Sequence, residues 1–164
     1  MKLTAILPFI FSFILLLVQA GCEPPQAGTE PTQKAIYAPA KVHILPLTDF
    51  ANVGNAEKQT EVELYVSLLD SFGSQIKAPG VFRFELYEYV QRSADPMGKR
   101  VAIWPDIDLT NPVENNKFWR DFLRAYEFNL PFEPAGDKTY ILQTTCLCPD
   151  GRRLSAEFTL KHTK

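Results

Sequence analysis

Beyond residue 41 this chain places apolar side chains at alternate positions over most of its length, and that period limits what it can fold into. Val42 and Ile44 alternate with His43 and Leu45. Val62, Leu64, Val66 and Leu68 alternate with Glu61, Glu63, Tyr65 and Ser67, and Phe82, Phe84 and Leu86 alternate with Arg83, Glu85 and Tyr87. Such runs bury one face of a strand and leave the other wet. Val101 to Trp104 is a shorter candidate, stopped by Pro105, which cannot donate to a ladder. Tyr140 to Cys148 and Arg153 to Lys161 complete the set. Turn-forming clusters separate the runs at Asn52 to Thr60, Asp70 to Gly80, Asp95 to Gly98 and Pro131 to Asp137.

Residues 111–130 break the period. Phe118, Trp119, Phe122, Leu123 and Tyr126 recur at helical spacing, with Thr110 or Asn111 available as a cap and Pro112 at the first helical position. A strand through Phe118 and Phe122 would put Arg120 and Arg124 on its apolar face. The spacing therefore predicts a short helix over Pro112 to Leu123, followed by a strand carrying Tyr126, Phe128 and Leu130. About seven strands with one short helix and long polar connections predict a mainly β fold. The expected form is a two-sheet antiparallel β-sandwich, immunoglobulin-like or transthyretin-like, over residues 41–164.

The last two strands fix a register. In Cys148-Pro149-Asp150-Gly151-Arg152, proline presets φ, aspartate suits the next turn position and glycine can go left-handed. A two-residue loop would set Leu147 opposite Leu154 and Gln143 opposite Phe158. A three-residue loop ending in a glycine bulge sets Cys146 opposite Leu154, Thr144 opposite Ala156, Leu142 opposite Phe158 and Tyr140 opposite Leu160. A one-residue slip exchanges the faces of a strand, so burial selects the second pairing, which gathers the apolar residues on one side.

The N-terminus has a different character. Met1-Lys2 gives a positive start, and Ala5 to Val18 is apolar apart from Pro8 and Ser12. That run is shorter than the ~20 residues a spanning helix needs. Small residues follow at Ala20 and Gly21, as a cleavage site requires. Val18-Gln19-Ala20-Gly21-Cys22 resembles the lipobox of bacterial lipoproteins. The resemblance covers residues 1–22 and implies a signal peptide over 1–21, cut before Cys22. It also implies a diacylglyceryl group on that sulfur and acylation of the new amine. The expected location is the bacterial cell envelope, lipid-anchored to a membrane, with the domain outside the cytoplasm. An ordinary secretory signal and a retained anchor helix are the alternatives. Residues 22–40 hold Pro24, Pro25, Pro31 and Pro39 among polar residues and read as a semi-rigid tether.

Removing residues 1–21 changes the formal charge from −2 to −3, since only Lys2 is lost. A slightly acidic chain without a run of basic residues is a poor match for nucleic acid. Cys146 and Cys148 lie two apart on one strand and face the same side; buried thiols, a strained disulfide and a metal or redox pair are all compatible with that spacing. Asp106-Ile107-Asp108-Leu109-Thr110 after Val101 to Trp104 resembles the first motif of haloacid-dehalogenase-type phosphotransferases. That likeness implies Asp106 as nucleophile, Asp108 as proton carrier and a doubly wound α/β core. The plainer readings are two solvated loop acids or a weak Ca²⁺ site. A phosphate-binding glycine loop, His-Glu-x-x-His and Gly-x-Ser-x-Gly are absent from the sequence. With only His43 and His162 available as bases, the domain is expected to be no enzyme and to need no cofactor. Tyr65, Tyr87 and Tyr89 point away from the inferred core and form a candidate ligand surface, unless they pack under loops. The expected role is an interaction or assembly module with an envelope protein or polysaccharide partner. The alternative is a hydrolase or phosphotransferase using Asp106 and Asp108.

Overall fold

A computed structural model of the chain describes residues 37–53 and 59–163. The expected signal segment, Cys22 and the tether up to residue 36 lie outside the described residues. In chain order the elements are β1 (Lys41–Ile44), β2 (Asp49–Val53), β3 (Gln59–Leu69), β4 (Gln75–Ile76), β5 (Val81–Tyr89), β6 (Met97–Ile103) and β7 (Ile107–Asp108). They continue with the helix α1 (Pro112–Phe118), β8 (Trp119–Arg120), β9 (Ala125–Pro131), β10 (Lys138–Leu147) and β11 (Arg153–His162).

These strands form two antiparallel sheets, as the alternation predicts. In the first, β3 is central: β1 and β2 pair in succession along one edge, β9 and β4 pair with it too, and β8 follows β9. The second has the order β11-β10-β5-β6, with β7 pairing the start of β5. Leu64, Val66, Leu68 and Phe128 from one sheet, and Phe82, Phe84, Leu86 and Leu142 from the other, are fully or almost fully buried. Aromatic rings join the layers: Phe128 lies 4.7 Å from Phe84 and 5.3 Å from Phe82, centroid to centroid. Thr144 Oγ1 sits in this core without a hydrogen-bond partner among the described residues.

The β10–β11 register is the one burial selects. Cys146 faces Leu154, Thr144 faces Ala156, Leu142 faces Phe158 and Tyr140 faces Leu160. Pro149, Asp150 and Gly151 form the loop, closed by Gly151 N–H donating to the Cys148 carbonyl at 2.9 Å, with Gly151 at φ 85°. Leu147 faces Arg153, not Leu154.

The helix is shorter than its periodicity predicts. Asn111 caps it, accepting from Val113 N–H at 2.8 Å and Glu114 N–H at 3.4 Å, and Pro112 opens it. It stops at Phe118, because Trp119 is extended and pairs with Tyr126 in a hairpin, Arg120 pairing with Ala125. The Trp119 ring packs against Tyr126 at 5.0 Å and Phe118 against Phe128 at 5.3 Å, so tertiary contacts override helical spacing. Phe122 and Leu123 fall in the turn, which Arg124 leaves at φ 50°. Strands β2, β4, β7 and β8 add to the expected set, and β6 begins at Met97 rather than Val101. Pairing resumes after Pro105 at β7, where Ile107 faces Phe82.

Candidate functional site

The outer face of the second sheet carries rows of polar side chains around a groove. Three strands contribute rows fixed by register: Arg83, Thr145 and Ser155 lie side by side, as do Glu85, Gln143 and Glu157. Alternation places them there, since their neighbours Phe84, Thr144 and Ala156 face the core side. The rows enclose a groove of about 210 Å³ bordered by Arg83, Glu85, Asp106, Thr145, Arg153 and Ser155.

Most of its charges are held. Arg83 grips Asp106 with two bonds, Nε to Oδ1 at 2.9 Å and Nη2 to Oδ2 at 2.8 Å. Arg100 Nη1 donates to Glu85 Oε1 at 2.5 Å. The Thr145 and Ser155 hydroxyls share a hydrogen bond at 3.0 Å, and Gln143 Nε2 donates to Glu157 Oε1 at 3.4 Å. Arg153, exposed at the rim, has no carboxylate partner among the described residues. A fixed guanidinium–carboxylate pair, two hydroxyls, an amide and one uncommitted guanidinium can read the hydrogen-bonding groups of a polar partner.

The three tyrosines do not form one patch. Tyr65 belongs to β3, in the other sheet, and is buried at 8% exposure. Its hydroxyl donates to Glu63, and it faces Glu127, which Arg120 pairs at 2.5 Å. Burial, then the Glu63 hydrogen bond, push its pKa up. Tyr65 is thus a packing residue and leaves the ligand surface expected of it. Tyr87 lies on β5 next to the groove, opposite Arg100, its pKa raised by burial and then by Glu85. Tyr89 is 40% exposed and borders a second hollow of about 450 Å³ with Glu88, Gln91 and Lys138.

Asp106 and Asp108 have structural partners. The Arg83 hydrogen bonds hold the Asp106 carboxyl below the usual carboxylate range. Asp108 Oδ1 accepts from Thr110 Oγ1 at 2.7 Å and Thr110 N–H at 2.9 Å, and these bonds lower its pKa in turn. The all-antiparallel sandwich also departs from the doubly wound core that the phosphotransferase likeness requires. In this fold Asp106 is an ion-pair partner of Arg83 and Asp108 caps a turn.

Cys146 and Cys148 are free and buried. Burial first, then the neighbouring Cys148, push the Cys146 thiol up to about 12, and burial raises Cys148 as well. Protonated thiols at such sites are poor nucleophiles and poor metal ligands. His43 is exposed on β1, while His162 Nδ1 lies 2.9 Å from the Gly136 carbonyl with its ring edge-on to Phe50 at 5.3 Å.

The groove residues Gln143, Thr145, Arg153 and Ser155 were not singled out from sequence, although the register that pairs the inward residues also pairs these outward ones. The Arg83–Asp106 contact has no comparable signal, being 23 residues apart and joined across a loop. Comparison of the chain with protein-family models, with curated proteins and with solved structures found no match.

Proposed function

We propose that this chain is a membrane-anchored envelope lipoprotein, held through lipid on Cys22, whose β-sandwich serves as an interaction or assembly module. The lipobox-like Val18 to Cys22 supports the anchor. The groove between Arg83, Thr145, Ser155 and Arg153 is the observation that carries the interaction role. Thr145 and Ser155 share a cross-strand hydrogen bond and Asp106 clamps Arg83, while Arg153 has no carboxylate partner among the described residues and Val81 and Leu147 add an apolar border, so a partner would meet a partly preorganised surface. Tyr87 extends that surface with an amphipathic ring, and Tyr89 borders a separate hollow toward the other end of β5. The chemistry suits hydroxyl-rich or charged partners of the envelope, a protein or a polysaccharide.

The test is photo-crosslinking in intact cells from a reactive side chain at Thr145, against a control at Asn129, exposed on the outer side of the first sheet. The proposal expects a discrete adduct from position 145 that Arg153→Glu abolishes. Equal, diffuse labelling from both positions would exclude the groove as the docking face. A Cys22→Ser chain is expected to leave the membrane pellet; its retention there would exclude the lipid anchor.

A further inference from the structure

The end of the domain where the described chain begins also bears the two most exposed phenylalanines among the described residues. β1 starts at Lys41, opposite Leu69 at the last residue of β3, and Ala40 N–H donates to the Leu69 carbonyl at 2.7 Å. The β3–β4 turn follows at once and carries Phe72, 74% exposed. Asp70 Oδ1 accepts from the Phe72 and Ser74 N–H groups, both at 2.9 Å, and Gly73 takes φ 83°, so the turn is held firmly while its phenylalanine stays outside. The β8–β9 turn lies beside it and carries Phe122, 84% exposed. The two turns are tied together. Arg124 Nη2 donates to the Gln75 carbonyl at 2.7 Å, and Ser67 Oγ donates to the Arg124 carbonyl at 3.2 Å while accepting from Gln75 Nε2 at 3.0 Å. Nothing in the core requires a phenylalanine at either tip.

Cations border the tips. Lys41 is exposed at the start of β1 with no ion-pair partner among the described residues. Lys77 donates to Asn116 Oδ1 at 2.6 Å and stands 5.6 Å from the Trp119 ring centroid, and Arg124 donates to a carbonyl, so uncharged groups hold both. Two large apolar side chains on braced turns suit the apolar boundary of a bilayer, and the charges around them are mixed, with Lys41, Lys77 and Arg124 set against the carboxylates of Asp70, held by backbone N–H groups, and Asp121, held by the Trp119 indole.

We infer that Phe72 and Phe122 are membrane-contacting tips which dip into the bilayer that the Cys22 lipids enter. The inference rests on the lipid-anchor reading and adds an orientation to it. Only 14 residues separate Cys22 from Tyr37. Fully extended, at ~3.3–3.6 Å each, they reach on the order of 50 Å, so the spacer lets this end approach the bilayer and the tips, not the spacer length, set the orientation. The chain enters at the Phe72 and Phe122 end, whereas the β5–β6 turn lies at the other end of the strands, about 30 Å or more away along an eleven-residue strand such as β3. A domain standing on these tips turns the groove of the second sheet sideways, toward a neighbour on the same membrane.

The experiment places a cysteine singly at Phe72, Phe122 or, as control in the β5–β6 turn, Ala94, in the full chain. Cys146 and Cys148 are buried, so an environment-sensitive dye goes to the introduced thiol. The protein is reconstituted in phosphatidylethanolamine–phosphatidylglycerol vesicles containing brominated phosphatidylcholine. The near-ultraviolet circular dichroism of each labelled chain checks that it is folded. Several-fold stronger bromine quenching at 72 and 122 than at 94 is expected. Equal quenching at all three positions would overturn the inference. The mass of the same preparation reports lipid on Cys22 independently. If that lipid is missing, the anchor reading fails by itself, and the Cys22→Ser chain mixed with the same vesicles still decides whether the two tips enter them.

Discussion

In the β10–β11 hairpin, inward and outward residues follow the period-two pattern through ten cross-strand pairs, and the turn residues agree with the register. Between Asn111 and Pro131 the sequence carries aromatics at helical spacing, yet the chain makes one short helix, a two-residue strand, a turn and a longer strand. The hairpin's local and tertiary preferences coincide. In the other segment they compete, and long-range partners decide: Tyr126 is drawn into the core, while Phe122, close in sequence and of similar apolar character, is left in solvent. The difference teaches that period fixes a face only where the backbone already runs straight.

Tyr126 separates the two regions most sharply. Its ring meets Phe82, Trp119 and Phe128, and its hydroxyl donates to the Ala78 carbonyl at 2.8 Å while accepting from Ala78 N–H at 3.0 Å. Asn115, buried on α1, completes the network by donating to the Ala78 and Leu109 carbonyls at 3.1 and 2.9 Å. Tyr126→Ala is expected to cost about 3–5 kcal/mol in denaturant unfolding. Tyr126→Phe, which spares the ring contacts but strands the Ala78 N–H and Asn115 Oδ1, 3.1 Å from the hydroxyl, is expected to cost about 1–3 kcal/mol. If Tyr126→Ala cost no more than an exposed substitution, the segment would not be pinned through this residue.

Alkaline pH probes both regions together, since burial raises the pKa of Tyr126 and of Cys146 on β10. A raised folded-state pKa gives stability that is complete below the ordinary value and lost as pH rises through the shifted one. For Cys146 that window runs from about 9 to about 12. Stability is expected to fall there by up to roughly 1.4 kcal/mol per pH unit for each such group. Thermal melts across the window check this, and Cys146→Ala should flatten the decline. A melting temperature that rises through the same range would contradict it.

A smaller effect tests the packing at the hairpin's end. A Cβ on Gly80 would stand 2.7 Å from Cys146 Sγ and 3.3 Å from the Leu147 carbonyl oxygen. Gly80→Ala is expected to destabilise by about 1–3 kcal/mol. Adding Cys146→Ala should recover part of that loss, which a double-mutant cycle reads as coupling between neighbours. Strict additivity would mean that β5 and β10 do not meet as described. The smallest effect belongs to Phe122→Ser, expected within about 0.5 kcal/mol because the ring is outside. A core-sized loss there would restore the longer helix that the spacing predicts.

The fold class and the last hairpin were legible because alternation, turn chemistry and burial agreed on them. Short strands such as β7 and β8, two residues each, carry too few positions for a period to register. Tyr65 looked outward by alternation, and it does face outward, but Glu63, Glu127 and Arg120 lie around it; period gives a direction and not the cover above it. The Arg83–Asp106 pair depends on a loop path that no local pattern encodes. The outward row from Arg83 to Ser155 could have been drawn from the register alone, because a pairing that fixes one face fixes the other.

The proposed function rests on a lipid at Cys22 that would tie this sandwich to a membrane, and intact mass measurement of the mature protein extracted from the membrane fraction tests it most directly. The account predicts a chain beginning at Cys22, heavier than the bare sequence from that residue by a diacylglyceryl group and an N-acyl chain. A chain that keeps residues 1–21, or one that begins elsewhere with an unmodified Cys22, would contradict it.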